Sequence, residues 1–261
     1  MDPTGVFSVK AKKYARYRWD YAPQAIQSLF GVTQISHQSS VADIGAGTGI
    51  LTKHFIGKVK QVWAVEPIAE MRKIAIEVLG SHPSCHISAG RAEATTLPDI
   101  SVDLISVGQA FNWFDPVPTR SEFVRILKPG GWLAGVRNYG TNRELVEALE
   151  KIYPQETDTL ELMKGRGTPL SFYYGGEDYL KQTFPFAVEE TWEVFMGWLA
   201  SASYAPDEGN PLYPNFERAA REIFNRFSTG GLLVSQAVTE VCLGHIKELA
   251  KLQVQGLCLR R

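Results

Sequence analysis

The 261-residue sequence is poor in cysteine and lacks a long apolar run, an excess of charge and any cluster of metal-ligating residues. Its three cysteines, Cys85, Cys242 and Cys258, are too far apart for a disulfide framework or a ligand cluster. His37, His54, His82, His86 and His245 do not recur with an acid or a cysteine at ligand spacing, so no metal is expected. His86 and His245 read as structural. No apolar stretch is long enough to span a bilayer, and the opening MDPTGVFSVKAKKYARY has no apolar core of a secretory signal. A cytoplasmic protein with no membrane contact is the expectation. The 27 Lys and Arg against 28 Asp and Glu give a net charge of −1, which supplies no positive field for a polyanion. No nucleic-acid partner is expected. Internal repeats and low-complexity tracts are absent too.

What is present is an alternation of strand and helix signals. Strands are expected at 41–44, 61–65, 85–88, 103–107 and 132–136. Helices are expected at 23–30, 48–57, 68–79 and 119–127, with the turn KPGG before the fifth strand. Such alternation implies crossover connections and a mostly parallel sheet with helices on both faces. After residue 142 the texture becomes helical, at 143–153, 192–202 and 216–227, broken by GRGTP, FYYGGED and APDEGNPLYP. Two late strands, at 183–188 and 237–244, complete a seven-stranded sheet. The expected organisation is an arm and helix over 1–40, a ligand-binding core over 41–140, a helical cover with the last strands over 141–250, and a tail over 251–261.

The chemistry concentrates in VADIGAGTGI, residues 41–50. Asp43, Gly45, Ala46, Gly47 and Gly49 follow a strand, where glycines let a ligand approach the backbone without a β-carbon in the way. In an open parallel sheet this strand end borders the ligand crevice. A dinucleotide fingerprint needs G-x-G-x-x-G, whereas here the third glycine arrives one residue early and Ile50 holds the dinucleotide position. Asp43 before the loop would repel a pyrophosphate but can hold an ammonium. S-adenosylmethionine carries that ammonium and no phosphate. Glu66, about 20 residues on, stands where a carboxylate accepts both ribose hydroxyls, a feature that suits NAD equally.

Four stretches in order, VADIGAGTGILT, VWAVEPIAEM, GRAEATTLPDISVDLISVGQAFNWFD and RILKPGGWLAGV, resemble the class I S-adenosylmethionine-dependent methyltransferases of the type 11 group. The resemblance implies a Rossmann-like, doubly wound α/β fold. It implies that Gly45, Gly47 and Gly49 line the methionine part of the cofactor and that Asp43 places the loop or the ammonium. Glu66 would hold the ribose, Pro67 and Met71 would flank the adenine, and Ala92 and Glu93 would border its edge. Gln109, with Ala110 and Phe111, would lie near the sulfonium. Arg91 stands where many relatives carry an aspartate that takes the adenine amine. The arm YARYRWDY and the stretch GWLASASYAP look similar to trans-aconitate methyltransferases, which makes Tyr14 and Arg18 cofactor contacts.

Relatives also often read His-Trp-Phe-Asp where this chain has Asn112, Trp113, Phe114 and Asp115. Asparagine is no general base at neutral pH. The expected activity is therefore methyl transfer to a small molecule whose acceptor atom is already ionised, such as a carboxylate. Asn112, Trp113 and Arg137 are substrate candidates, and Arg18, Arg137 and Arg166 are candidate carboxylate binders by guanidinium pairing. Phe172, Tyr173, Tyr174, Trp192, Phe195, Trp198 and Tyr204 are read as core of the cover, a few of them lining an apolar pocket. The alternatives are a non-catalytic S-adenosylmethionine-binding module and an NAD-dependent oxidoreductase on a related fold. The partner expected is a small-molecule methyl acceptor, the assembly a monomer or homodimer.

Overall fold

The structure, a computed structural model, describes residues 3–153, 165 and 167–248. Arg166 and the segment 251–261 lie outside the described residues. Among the described residues eight strands form one sheet: β1 (Ser40–Ile44), β2 (Gln61–Val65), β3 (Cys85–Ser88), β4 (Val102–Gly108), β5 (Leu127–Gly140), β6 (Leu180–Glu190), β7 (Ser228–Thr229) and β8 (Leu232–Gly244). Their order is β3-β2-β1-β4-β5-β8-β6, with β7 paired to β8 beside this path. The expected seven strands are that path, and the eighth is a two-residue strand hairpinned to β8 through Gly230 and Gly231. β1 to β5 run parallel, and β8 is antiparallel to both β5 and β6.

Burial explains the difference between the two halves of the sheet. All five residues of β1 are buried, as a parallel strand covered on both faces requires. β6 instead alternates between exposed and half-buried, with Phe184 and Phe186 turned inward. Alternate residues of the parallel strands feed two cores. On one face Val41, Val62, Leu104 and Val136 pack with Ala25, Ile26 and Leu29 of α2 (Pro23–Thr33). On the other, Ile44, Ile105, Val107 and Leu133 pack with Phe123 of α4 (Pro116–Ile126) and with α6 (Leu170–Tyr174). α3 (Ala69–Leu79) follows β2.

Three expectations are corrected. The helix expected over 48–57 is a chain of turns with a 3-10 piece at Thr52–His54. Buried Leu51, Thr52 and Phe55 draw the segment against the sheet, and its backbone bonds are mostly of the tighter i to i+3 kind. The KPGG turn is a bulge inside one long β5, whose pairing jumps from Val102–Leu127 to Leu104–Trp132. FYYGGED, read as a break, carries α6, stopped at Gly175 (φ +80°). Its Phe172, Tyr173 and Tyr174 belong to the sheet core and not to the cover, and the Tyr174 hydroxyl donates to the Cys242 carbonyl at 2.8 Å.

The cover comprises α5 (Arg143–Ile152), α7 (Trp192–Ala200) and α8 (Tyr213–Phe227), joined through Leu145, Phe195, Leu199, Phe216 and Phe224. The side chains of Asn142 and Thr191 cap α5 and α7. α1 (Pro3–Tyr17) bridges α3 and α7. A β-carbon at Gly197 would fall 2.5 Å from the Tyr17 ring, so a glycine is what lets α1 seat there. Lys10 is buried at 2% exposure and donates to the carbonyls of Ala202 and Ala205. Beyond α1, Trp19 stacks on Trp198 (4.8 Å, 19°), and Asp20 pairs with Lys53 and His54, each at 2.8 Å. The arm thus ties the turn after the glycine loop to the cover.

Candidate functional site

A cavity of about 490 Å³ lies at the carboxyl ends of β1, β2 and β4, under the arm and the cover. This is the crevice beside the switch between β1 and β4, where open α/β sheets bind ligands. Of the residues named from the sequence, Tyr14, Arg18, Asp43, Gly45, Ala46, Gly47, Glu66, Pro67, Met71, Ala92, Glu93, Gln109 and Ala110 line it, and so do Asn112 and Trp113. Arg91 lines it as well, with Nε 3.6 Å from the Glu93 carboxylate.

Two carboxylates organise the loop. Asp43 is wholly buried and accepts from the Thr52 hydroxyl (2.6 Å) and the Ser106 hydroxyl (3.1 Å), joining β1, β4 and the turn. Burial pushes its carboxyl up to about 6, against the pull of those two hydroxyls. Glu66, also buried, accepts the backbone N–H of Gly47 and that of Ile68, both at 2.9 Å. It therefore clamps the glycine loop to the start of α3, and burial raises its carboxyl too. Glu93 accepts the Asp115 N–H at 2.8 Å, which fixes it to the start of α4.

The Asp43 shift has a pH consequence. The folded state binds this proton more tightly than the unfolded chain does, so stability falls as pH rises from about 4 to 6 and levels above. A shift from 3.8 to about 6 corresponds to roughly 3 kcal/mol. The stability difference between wild type and Asp43→Asn, measured by chemical unfolding across that window, is expected to change by about that amount against wild type at higher pH. A flat difference would show that Asp43 does not titrate there.

Gln109 follows β4 at φ +59°, a left-handed conformation rare for a residue with a side chain. It is held by its N–H to the Val136 carbonyl (3.0 Å) and its amide to the Asn138 carbonyl (3.0 Å). The strain sits at the cavity wall, where such conformations are concentrated.

Three described residues named from the sequence as cofactor or substrate contacts do not reach the cavity. Gly49 backs onto Leu79, to which a β-carbon would come within 2.8 Å. Phe111 turns into the core against Tyr173 (ring centroids 4.6 Å apart). Arg137 lies on the other side of β5, where its Nε meets Glu240 of β8 at 2.7 Å, its directly opposite residue. Strand alternation gives the cavity to its neighbour Asn138 instead. Trp192 stays in the cover, under the Arg221 guanidinium, while Phe195, Trp198 and Tyr204 reach the cavity. Sequence reasoning did not single out Trp19, Tyr21, Asn138 or Glu190 as site residues. The first two lie in the aromatic arm, but nothing local marks Asn138 or Glu190. Among the described residues no group of three or more His, Cys, Asp or Glu can hold a metal, and no helix is long and apolar enough to cross a membrane.

Residues 42–135, which build β1 to β5 and the glycine loop, match the model of a methyltransferase domain. An uncharacterized methyltransferase of Schizosaccharomyces pombe is 34% identical over 169 residues, 64% of this chain and 62% of its own length. One of Mycobacterium tuberculosis is 38% identical over 141 residues, 52% of this chain and 55% of its own. The chain thus spans little more than half of the curated relatives it matches. A solved structure, a candidate type II methyltransferase of Anaeromyxobacter dehalogenans, superposes with a TM-score of 0.61 at 20% identity, over 88% of this chain and 98% of that one. The fold is the Rossmann-like methyltransferase fold. These likenesses support a class I methyltransferase of the type 11 group, with the family match lying over residues 42–135.

Proposed function

We propose that the chain transfers a methyl group from S-adenosylmethionine to a small molecule held under the cover. The observation that carries this reading is that one cavity holds both the loop clamped by Glu66 and an aromatic compartment beside it. The residues fit the cofactor. A β-carbon at Gly47 would meet nothing within 4 Å, so the loop backbone is open to a ligand. The Nε of Arg18 is buried without a hydrogen-bond partner, and its guanidinium lies over the Tyr14 ring at 5.1 Å. Gly45, Gly47 and Ala46 would cradle the amino-acid part, Glu66 the ribose, and Met71, Ala92 and Glu93 the adenine. When bound, S-adenosylmethionine supplies a methyl group already activated on a sulfonium. The chain's own work is alignment and the exclusion of water by the arm.

Among the described residues the wall beside Gln109 supplies Asn112 and Asn138 but no histidine. That favours an acceptor atom ionised beforehand, such as a carboxylate. Arg18 is then its candidate partner, since Arg137 is paired with Glu240 elsewhere. An acid of the trans-aconitate kind falls in this class.

Calorimetry with S-adenosylhomocysteine and with NAD, followed by incubation of the full chain with methyl-labelled cofactor and a panel of small acids, tests the reading. Binding of the first ligand alone and alkali-labile labelled esters are the expected results. NAD binding alone would overturn it, and turnover on amines but on no acid would remove the carboxylate. Occupancy without any product would favour a non-catalytic module.

A further inference from the structure

Between α1 and α2 the arm buries a phenol whose hydroxyl has no task in the protein alone. Tyr21 is 7% exposed and packs in the core beside α2. Its backbone is pinned on both sides. The Tyr21 N–H donates to the Asp20 carboxylate at 2.8 Å, and Lys53 and His54 hold that carboxylate from the turn after the glycine loop. The Ala22 N–H donates to the Thr239 hydroxyl at 2.8 Å, and the Asn138 amide donates to the Asp20 carbonyl at 3.0 Å. The Tyr21 hydroxyl, by contrast, has no hydrogen-bond partner among the described residues. Phenylalanine would fill the same core space without leaving a buried hydroxyl unpaired, which is costly. Packing therefore accounts for the ring and not for its oxygen.

The oxygen lies at the root of the glycine loop. A β-carbon at Gly108 would fall 2.6 Å from it, so the glycine that ends β4 makes its room. Tyr21, Leu51 and Gly108 all line the cavity, which puts the hydroxyl within reach of a ligand. The loop adjoins the same place, since a β-carbon at Gly45 would fall 2.7 Å from that of Ala110. Asp43 and Asp20 are the acids that act on the phenol across space, and burial above all pushes it well above its ordinary value. It stays a neutral hydroxyl, with lone pairs that accept. Asp43 has 0% exposure, and its two oxygens accept the Thr52 and Ser106 hydroxyls. It supplies negative charge from within the wall, while Tyr21 offers an acceptor at the surface. A cationic donor, such as an ammonium, suits both. Arg18, the other arm residue with an unpartnered polar atom, stands over Tyr14 and Trp198 and suits an anion instead.

We propose that Tyr21 is a cofactor-binding residue whose hydroxyl accepts the ammonium group at the amino-acid end of S-adenosylmethionine, with Asp43 as the charge behind it. This rests on the methyl-transfer reading for the identity of the cofactor. It gives to Tyr21 the contact that the sequence suggests for Asp43.

The test is calorimetry on the full chain with three adenosine derivatives. S-adenosylhomocysteine carries the ammonium and the carboxylate, aminopropylthioadenosine keeps only the ammonium, and methylthioadenosine lacks both. The wild type is expected to bind aminopropylthioadenosine at least about tenfold more tightly than methylthioadenosine, because a hydrogen bond to a charged group is among the strong ones. Tyr21→Phe removes one oxygen and keeps the ring. It is expected to weaken S-adenosylhomocysteine and aminopropylthioadenosine about tenfold each and to leave methylthioadenosine within about twofold. Its urea midpoint is expected at or above that of the wild type, since an unpaired buried hydroxyl is gone. An unchanged S-adenosylhomocysteine affinity in Tyr21→Phe, or an equal loss for methylthioadenosine, would overturn the proposal. So would a loss confined to S-adenosylhomocysteine, which would assign the hydroxyl to the carboxylate. Should the variant not fold, the wild-type comparison of aminopropylthioadenosine with methylthioadenosine decides alone. Failure of S-adenosylhomocysteine to bind the wild type would instead remove the methyl-transfer reading, and this proposal with it.

Discussion

Replacing Glu66 with alanine is expected to weaken S-adenosylhomocysteine binding at least about a hundredfold and to lower the unfolding free energy by about 2–4 kcal/mol. Both effects come from one carboxylate. In the protein alone it accepts two backbone N–H groups, from Gly47 and Ile68. Removing it leaves two donors without an acceptor in a mostly buried place, at about 1–3 kcal/mol each, partly relieved by water entering from the cavity. In the proposed complex the same group accepts the ribose hydroxyls. Hydrogen bonds to a charged partner contribute about 1.5–3 kcal/mol each, and a hundredfold in affinity is about 2.7 kcal/mol. Calorimetric titration and urea unfolding of the variant measure the two effects separately. A variant that is destabilised but binds normally would leave Glu66 a structural clamp and remove it from the ligand site.

The second large effect separates two glycines that look alike in the sequence. Gly47 and Gly49 both adopt positive φ, at +58° and +89°. A side chain there costs about 1–2 kcal/mol in either case. Their surroundings differ. A β-carbon at Gly47 points into open cavity, whereas one at Gly49 would fall 2.8 Å from Leu79 Cδ1. Gly47→Ala is expected to lose only about 1–2 kcal/mol of stability but at least about tenfold in S-adenosylhomocysteine affinity, because the methyl group occupies ligand space. Gly49→Ala is expected to lose about 2–4 kcal/mol of stability, strain and overpacking together. Its remaining folded fraction should bind S-adenosylhomocysteine within about threefold of wild type, a ratio under 1 kcal/mol. Unfolding midpoints paired with calorimetric affinities distinguish the two. The reverse assignment of effects would mean that Gly49 faces the ligand.

The glycine pair shows why a motif is read more easily than the role of each member. Strand β1 and the loop are legible because they depend on local rules: a short apolar run, then residues that tolerate left-handed backbone. The same holds for β2, β3, α3 and the capped helices of the cover. The segment after the loop failed as a helix because its geometry is set by remote partners. The Thr52 hydroxyl belongs to the Asp43 carboxylate, and Phe55 to the core around α2. Helix α6 was hidden for a related reason, since five residues ending at Gly175 carry too little periodicity to register.

By itself the sequence determined the fold class, the succession of the core strands along the chain and the glycine loop that ends β1. These follow from periodicities of two and 3.6 residues and from glycines at fixed offsets, which act over a few neighbours. Only the tertiary structure decided which side chains share the cavity. It moved Arg137 to a pair with Glu240, turned Phe111 into the core, and set Gly49 against Leu79. It also brought Trp19, Trp198 and Glu190, from three distant parts of the chain, to one wall. The register of β5 on β8 and the seat of α1 on Gly197 make those choices, and both are contacts between residues far apart in sequence. A pattern read along the chain carries local preference, and a binding wall is built from such remote contacts.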